Sequence, residues 1–164
     1  MIVKYLTFGI SITFISWIVG MIINAFLIKT TFYDKNLTSL NFIKSKKLNK
    51  RIGIGIVKWI VKNTFFKFFN PNLKMKRKIE LSELDQLRKE MTLAEINHLI
   101  AFGFVAIFAI VAVVKSNYMS ALIMMLVNIL MNLYPSLLQQ ENKRRIDKLK
   151  LVFNRINPSF KQQA

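Results

Sequence analysis

Charge is absent from three long stretches of this chain and crowded into the segments between them. Residues 5–28 carry no charged side chain, and they exceed the ~20 residues that a helix rising ~1.5 Å per residue needs to cross a hydrocarbon core of ~30 Å. Residues 96–114 and 119–138 repeat the pattern, separated only by Lys115, Ser116, Asn117 and Tyr118. So short a connection predicts an antiparallel helical hairpin. The expected fold class is therefore an all-α membrane protein, a single membrane domain over residues 1–164 with about three transmembrane helices. Lys4 ahead of the first run raises the competing reading of a cleaved secretory signal peptide. The run is long for such a peptide and shows no A-x-A site, so an uncleaved spanning helix is expected.

Between the first and second runs the rhythm changes. Over residues 54–69, Val57, Ile60, Val61, Thr64, Phe65 and Phe68 line one side of a helical wheel, while Lys58, Lys62, Asn63 and Lys67 lie on the other. Trp59 and Phe66 fall off the pattern. Lysines interrupting an apolar run predict an interfacial amphipathic helix with its lysines at anionic lipid headgroups, not a fourth span. Asn70, Pro71 and Asn72 end it, because proline cannot continue the helical ladder. Ser82, with Asp85 three residues on and Leu84, Leu87 and Met91 following, reads as the capped start of a cytoplasmic helix continuing into the second span. Gly53 and Gly55 form a G-x-G with no third glycine and no preceding strand pattern, which argues against a nucleotide loop. Asn36, Leu37 and Thr38 match a glycosylation acceptor on the side of the membrane where it would not be used.

Composition sharpens this picture. A chain of 164 residues that is 53% hydrophobic yet carries 25 Lys+Arg against 8 Asp+Glu is a combination that soluble domains rarely show. A net charge of +17 alone suggests nucleic acid, but beside long uncharged runs it fits anionic headgroups or anionic substrates instead. No nucleic-acid partner is expected. The absence of cysteine removes disulfides, thiolate nucleophiles and zinc-ligand spacings, and no metal or bound cofactor is expected. Basic residues fall on alternate sides: Lys4 before the first span, 16 within residues 29–94, Lys115 in the hairpin loop, and seven after the third span. The positive-inside rule then places residues 29–94 and the C-terminus in the cytoplasm of a multi-pass cell-membrane protein.

Two polar clusters stand at the same predicted membrane boundary. Glu95 and His98, the latter the only histidine, are i,i+3 neighbours about 5–6 Å apart at Cβ, so the carboxylate can orient the imidazole and leave one ring nitrogen as a base. The bland alternative is a Glu–His hydrogen bond that merely satisfies both groups. On the third helix Asn128, Asn132, Pro135, Gln139 and Asn142 recur at spacings of four, three, four and three, a stripe expected to face protein or a cavity. Interhelical hydrogen bonding, worth ~0.6–2 kcal/mol apiece, is an equal reading for Asn128 and Asn132. Gln139, Asn142 and Arg145 lie at the level to which the hairpin returns Glu95 and His98, and Asn24 has a compatible depth on the first helix.

These residues carry a resemblance. Glu90, Met91, Thr92, Leu93, Ala94, Glu95, Ile96, Asn97 and His98 resemble the E-T-x-R-A-E-x-x-H element of the glycosyl-4,4'-diaponeurosporenoate acyltransferases, which add the fatty acyl tail in staphyloxanthin biosynthesis. Asn132 followed by Gln139, Asn142 and Arg145 is similar to that family's N-x6-Q-R-Y-N-R-x-R element, while Phe42 and the basic-aromatic stretch around Trp59 look like its middle region. Met91 and Leu93 replace the usual threonine and basic residue, and Gln140, Glu141 and Lys143 stand where Arg, Tyr and Arg are common. The resemblance implies a membrane acyltransferase that moves a fatty acyl group from acyl-CoA or another acyl thioester to a hydroxyl of a glycosylated isoprenoid, carotenoid or related glycolipid. It implies His98 and Glu95 as the catalytic pair, with Gln139, Asn142, Arg145, Asn132 and Glu90 on the substrate. The departures fall on groups expected to meet sugar or acyl donor, so the acceptor is less defined than the reaction class. A non-enzymatic membrane subunit or scaffold, whose polar faces pack against a partner, is the alternative, and no oligomeric state is indicated.

The absence of native cysteine makes the orientation testable by single-cysteine labelling. In intact cells an impermeant thiol reagent is expected to label Ser116→Cys and to spare Lys76→Cys and Phe160→Cys. The reverse pattern overturns the orientation.

Overall fold

The computed structural model describes residues 1–42, 51, 53, 55, 59, 63 and 80–156. Among these residues there are three helical rods long and apolar enough to cross a membrane. The first is α1, Ile2–Leu27, and the second is α2, Leu81–Val114. The third consists of α3, Tyr118–Asn128, a π-helical turn over Ile129–Leu133, and α4, Tyr134–Ile156. The all-α membrane architecture expected from the hydrophobic pattern is the one observed. The expected interfacial helix over residues 54–69 lies outside the described residues except for Gly55, Trp59 and Asn63, each helical and exposed.

Helix α2 runs for 34 residues, so the charged helix beginning near residue 82 and the second span are one continuous rod. Its start differs from the predicted Ser82 cap. Glu80 occupies the N-cap position, and the Ser82 hydroxyl is 3.3 Å from the Glu80 carboxylate instead of accepting from a backbone N–H. At the other end the hairpin is closed by backbone geometry. Ser116 adopts the left-handed conformation at φ 57°, while Asn117 N–H donates to Ala112 O and Ser116 N–H to Val113 O, both at 2.8 Å. That double bond is a Schellman ending, which satisfies carbonyls that the last helical turn leaves unpaired. Asn117 then caps α3 by accepting from the Ser120 N–H.

Helix α1 inverts the amphipathicity of a soluble helix. Its buried positions are Gly9, Ile12, Thr13, Ser16, Gly20 and Asn24, mostly small or polar, while Phe8, Phe14, Ile15, Ile18, Ile22 and Phe26 face outward. Lipid is as apolar as those side chains, so helix association in a membrane depends on close packing and interhelical hydrogen bonds, and small and polar residues collect at the contact. Gly9 approaches α3 at Met124 and Val127, and Gly20 meets α2 against the backbone of Asn97. One turn past Gly20, the Asn24 amide donates to Leu93 O at 3.2 Å and to Asn97 Oδ1 at 2.7 Å. Beyond the apolar region α2 and α4 stay paired through Leu84, Met91 and Ile146, with Leu87 beside them. Arg88 with Asp147, and Lys150 with Asp85, flank that small core. Being partly exposed, these ion pairs contribute about 0–1 kcal/mol each and set register more than stability.

The glycine contacts predict a contrast. A Cβ at position 20 falls inside van der Waals contact of the Asn97 carbonyl oxygen, backbone that cannot rotate away, whereas a Cβ at position 9 meets its nearest atoms at an ordinary 3.6 Å. Gly20→Ala is therefore expected to destabilise the α1–α2 contact by ~1–3 kcal/mol, and Gly9→Ala to be near neutral. Thermal unfolding of the two variants in the same micelles checks the difference.

Candidate active site

The site is organised by an irregularity in the third rod. Pro135 has no N–H to give to the Met131 carbonyl, and just before it the Tyr134 N–H bonds back five residues to Ile129 O. The π turn so formed inserts one extra residue into the helical count. Downstream of it the face turned to α2 comprises Ser136, Gln140, Lys143 and Ile146, all 3% exposed or less. A regular helix continuing from Asn128 and Asn132 would instead present residues 135, 139, 142 and 145. Every inward position is displaced by one.

The displacement puts Gln140 and Lys143 on Glu95, whose side chain is wholly buried. Gln140 Nε2 donates to Glu95 Oε1 at 2.8 Å, and the Lys143 ammonium pairs with Oε2. Residues following α1 fold across this cluster. Lys143 Nζ also reaches Thr38 O at 3.3 Å, Phe42 N–H donates to Gln140 Oε1 at 3.0 Å, and Arg144 donates to Asn41 Oδ1 at 2.7 Å. Tyr33, in a π turn over Tyr33–Leu37, is buried beneath the same strap. Burial, and then the negative charges of Glu95 and Asp34, push its phenol above the ordinary value, so it stays neutral.

A second, uncharged cluster lies closer to the hairpin. Asn132, wholly buried, accepts at Oδ1 from the Trp17 indole N–H at 2.8 Å, and His98 Nδ1 lies 3.4 Å from the same oxygen. The indole also meets the imidazole edge-on, with ring centroids 6.1 Å apart at 89°. Asn132 Nδ2 donates to Asn128 Oδ1 at 2.9 Å and to Ser16 Oγ at 3.4 Å, and Asn128 Nδ2 donates to Phe102 O at 3.0 Å. Both hydrogens and the oxygen of the Asn132 amide are committed within the protein. Among the described residues, three buried polar atoms are left without a protein hydrogen bond or ion pair: Asn24 Oδ1, Ser136 Oγ and Gln139 Oε1.

Residues 29–150 match the glycosyl-4,4'-diaponeurosporenoate acyltransferase family. The chain belongs to this family. No curated protein and no solved structure matches it. The match spans both polar elements and the strap, whereas Ser16, Trp17 and Asn24 of α1 lie outside it.

Within this acyltransferase family member the expected site residues are distributed unevenly. Glu95 and His98 share a face of α2, but they do not serve each other: Glu95 is bound by Gln140 and Lys143, and His98 by Asn132. Gln139 and Asn142 flank the inward face and are half-buried. Arg145 is exposed and tied to Glu141 on its own helix, and Glu90 is exposed and accepts from Gln86. Gln140 and Lys143 stood out in the sequence only as departures from the family element, not as partners of Glu95, and Trp17 and Ser16 were not singled out. The signal for the first two was Pro135, which forecasts an interruption of the count.

Breaking the buried pair from one side predicts a large effect. Lys143→Met leaves the Glu95 carboxylate unpaired where its side chain has no exposed surface, and is expected to cost ~3–5 kcal/mol of stability. Adding Glu95→Gln removes the charge and is expected to recover most of that loss. Thermal denaturation of the single and double variants measures both steps.

Proposed function

We propose that this protein is a membrane acyltransferase that transfers a fatty acyl group from an acyl thioester to a hydroxyl of a glycosylated isoprenoid, carotenoid or related glycolipid. The observation that carries the reading is the family match over residues 29–150, which contains the only histidine of the chain. In this reading His98 is the general base. Its Nε2, the nitrogen turned away from Asn132, takes the proton of the acceptor hydroxyl as that oxygen attacks the thioester carbonyl carbon. The tetrahedral oxyanion collapses, the C–S bond breaks, and the imidazolium returns the proton to the leaving thiolate. No covalent enzyme intermediate is required, so the lack of cysteine is no obstacle.

Gln139 and Asn142 take the polar part of the acceptor. Seven residues beyond Asn132, Gln139 lies ~10 Å further along the rod at ~1.5 Å per residue, toward its basic end. Its unpartnered Oε1 accepts from a sugar hydroxyl, which supplies the hydrogen bond that a buried amide oxygen otherwise lacks. The basic segment and C-terminal helix attract the anionic portion of a coenzyme A thioester and the anionic headgroups of the bilayer. Arg145, tied to Glu141, belongs to that peripheral field. With residues 29–94 in the cytoplasm, transfer takes place at the inner leaflet.

Lipid and pigment extracts from cells with and without the protein test the reading. A species heavier by one acyl group is expected only where the protein is present. His98→Ala is expected to lower its formation by ~10²–10⁴-fold at equal membrane level, while Arg145→Ala stays within a few-fold of wild type. Unchanged product with His98→Ala overturns the mechanism and leaves a scaffold whose polar faces serve packing.

A further inference from the structure

We propose that Trp17 and Asn128 act through Asn132 to hold His98 as its Nδ1–H tautomer, which makes all three positioning residues for the proton transfer. The inference rests on the reading of His98 as the base. Neither Trp17 nor Asn128 belongs to the two polar elements that define the resemblance, and Trp17 stands on α1, outside the matched residues.

Two constraints fix the Asn132 amide independently. An indole N–H donates and cannot accept, so the Asn132 atom 2.8 Å from Trp17 Nε1 has to be the oxygen. From the opposite side, Asn128 gives its amide hydrogen to the backbone carbonyl of Phe102, which only accepts. That leaves Asn128 Oδ1 facing Asn132 at 2.9 Å, where only an N–H2 group can meet it. Both constraints give the same orientation. Reversing the amide would set two donors together at Trp17 and two acceptors together at Asn128, in a residue with no exposed surface from which water could repair the loss.

An amide oxygen carries no proton. The neutral imidazole nitrogen that touches it, Nδ1, therefore carries the ring hydrogen, and the lone pair resides on Nε2. An imidazole free in water favours the opposite tautomer, in which the basic nitrogen would be the one occupied by Asn132 and useless to a substrate. The order of action runs from the Phe102 carbonyl through Asn128 and Asn132 to His98, with the indole locking the middle amide.

Because the chain has one histidine, isotope-labelled histidine in the full-length protein in lipid nanodiscs yields a single imidazole. Its tautomer is read from long-range nitrogen–proton correlations at a pH above the ring's titration. The wild type is expected to carry its proton on Nδ1. Asn132→Leu removes the acceptor while keeping the branching and the number of side-chain heavy atoms, and is expected to turn the ring toward Nε2–H. Turnover in that variant should fall toward the ~10²–10⁴-fold that a positioned base contributes, with KM for the acceptor little changed. Trp17→Phe retains an aromatic ring, though a smaller one, loses the donor, and is expected to give a mixture of tautomers and a smaller loss. A wild-type ring protonated on Nε2, or a tautomer indifferent to both substitutions, overturns the inference even where His98→Ala abolishes product. An Nδ1–H ring that responds to both variants sustains it, and unaltered product with His98→Ala would then overturn the acyltransfer reading alone.

Discussion

A carboxylate with no exposed surface is the constraint to which the rest of this bundle answers. Glu95 can be buried among apolar helices as a carboxylate only if its charge is met, because an isolated ionised group loses far more hydration than packing returns. Lys143 and Gln140 meet it, and by doing so they set the register of α4 on α2. The strap after α1 follows from the same demand. The backbone at Thr38 and Phe42 caps the polar atoms of Lys143 and Gln140 that Glu95 does not use. A single buried ion pair thereby couples α2, α4 and the segment leaving α1.

The hydrophobic pattern alone made the three rods and their hairpin legible, since spanning length and loop length admit little else. The site was half legible. Residue types and depth were readable, but the face was not, because a stripe counted at 3.6 residues per turn presumes an uninterrupted helix. The π turn before Pro135 adds a residue, so Gln139, Asn142 and Arg145 yield the inward positions to Gln140, Lys143 and Ile146. Lys143, Arg144 and Arg145 are among the seven basic residues counted after the third span, where a basic residue adjoining a span usually serves as a topological anchor. Only the tertiary pairing with Glu95 distinguishes Lys143 from its neighbours. Trp17 and Ser16 lay hidden for another reason: within an uncharged run, polar residues that complete a partner's hydrogen bonds look like the tolerated exceptions of any span.

Helix α1 shows how that partnership is built. Its apolar side chains turn toward lipid and its small ones inward, so the backbone approaches α2 closely at Gly20 and leaves room at Ser16 and Trp17 for side chains to reach Asn132. Small residues bring the helices near, and the polar ones then specify which rotation of α1 is satisfied. A rotation by one residue would strand Asn24, Ser16 and the indole N–H against hydrocarbon, where no solvent replaces their partners.

The separation of the two clusters bears on the chemistry. A carboxylate on His98 would orient the ring and favour the imidazolium, but it would bury a second negative charge that the neutral imidazole leaves unpaired. An amide orients without that cost. With Glu95 engaged by Lys143, the imidazole is held by the neutral chain of Asn132, Asn128 and the Phe102 carbonyl, so it is directed by geometry instead of by charge. In the proposed transfer such a base is neutral until a substrate hydroxyl delivers its proton, and the imidazolium then formed would lack a fixed counter-ion. Under that proposal its instability in this setting would favour rapid return of the proton to the leaving thiolate, the step a direct transfer needs to reach completion.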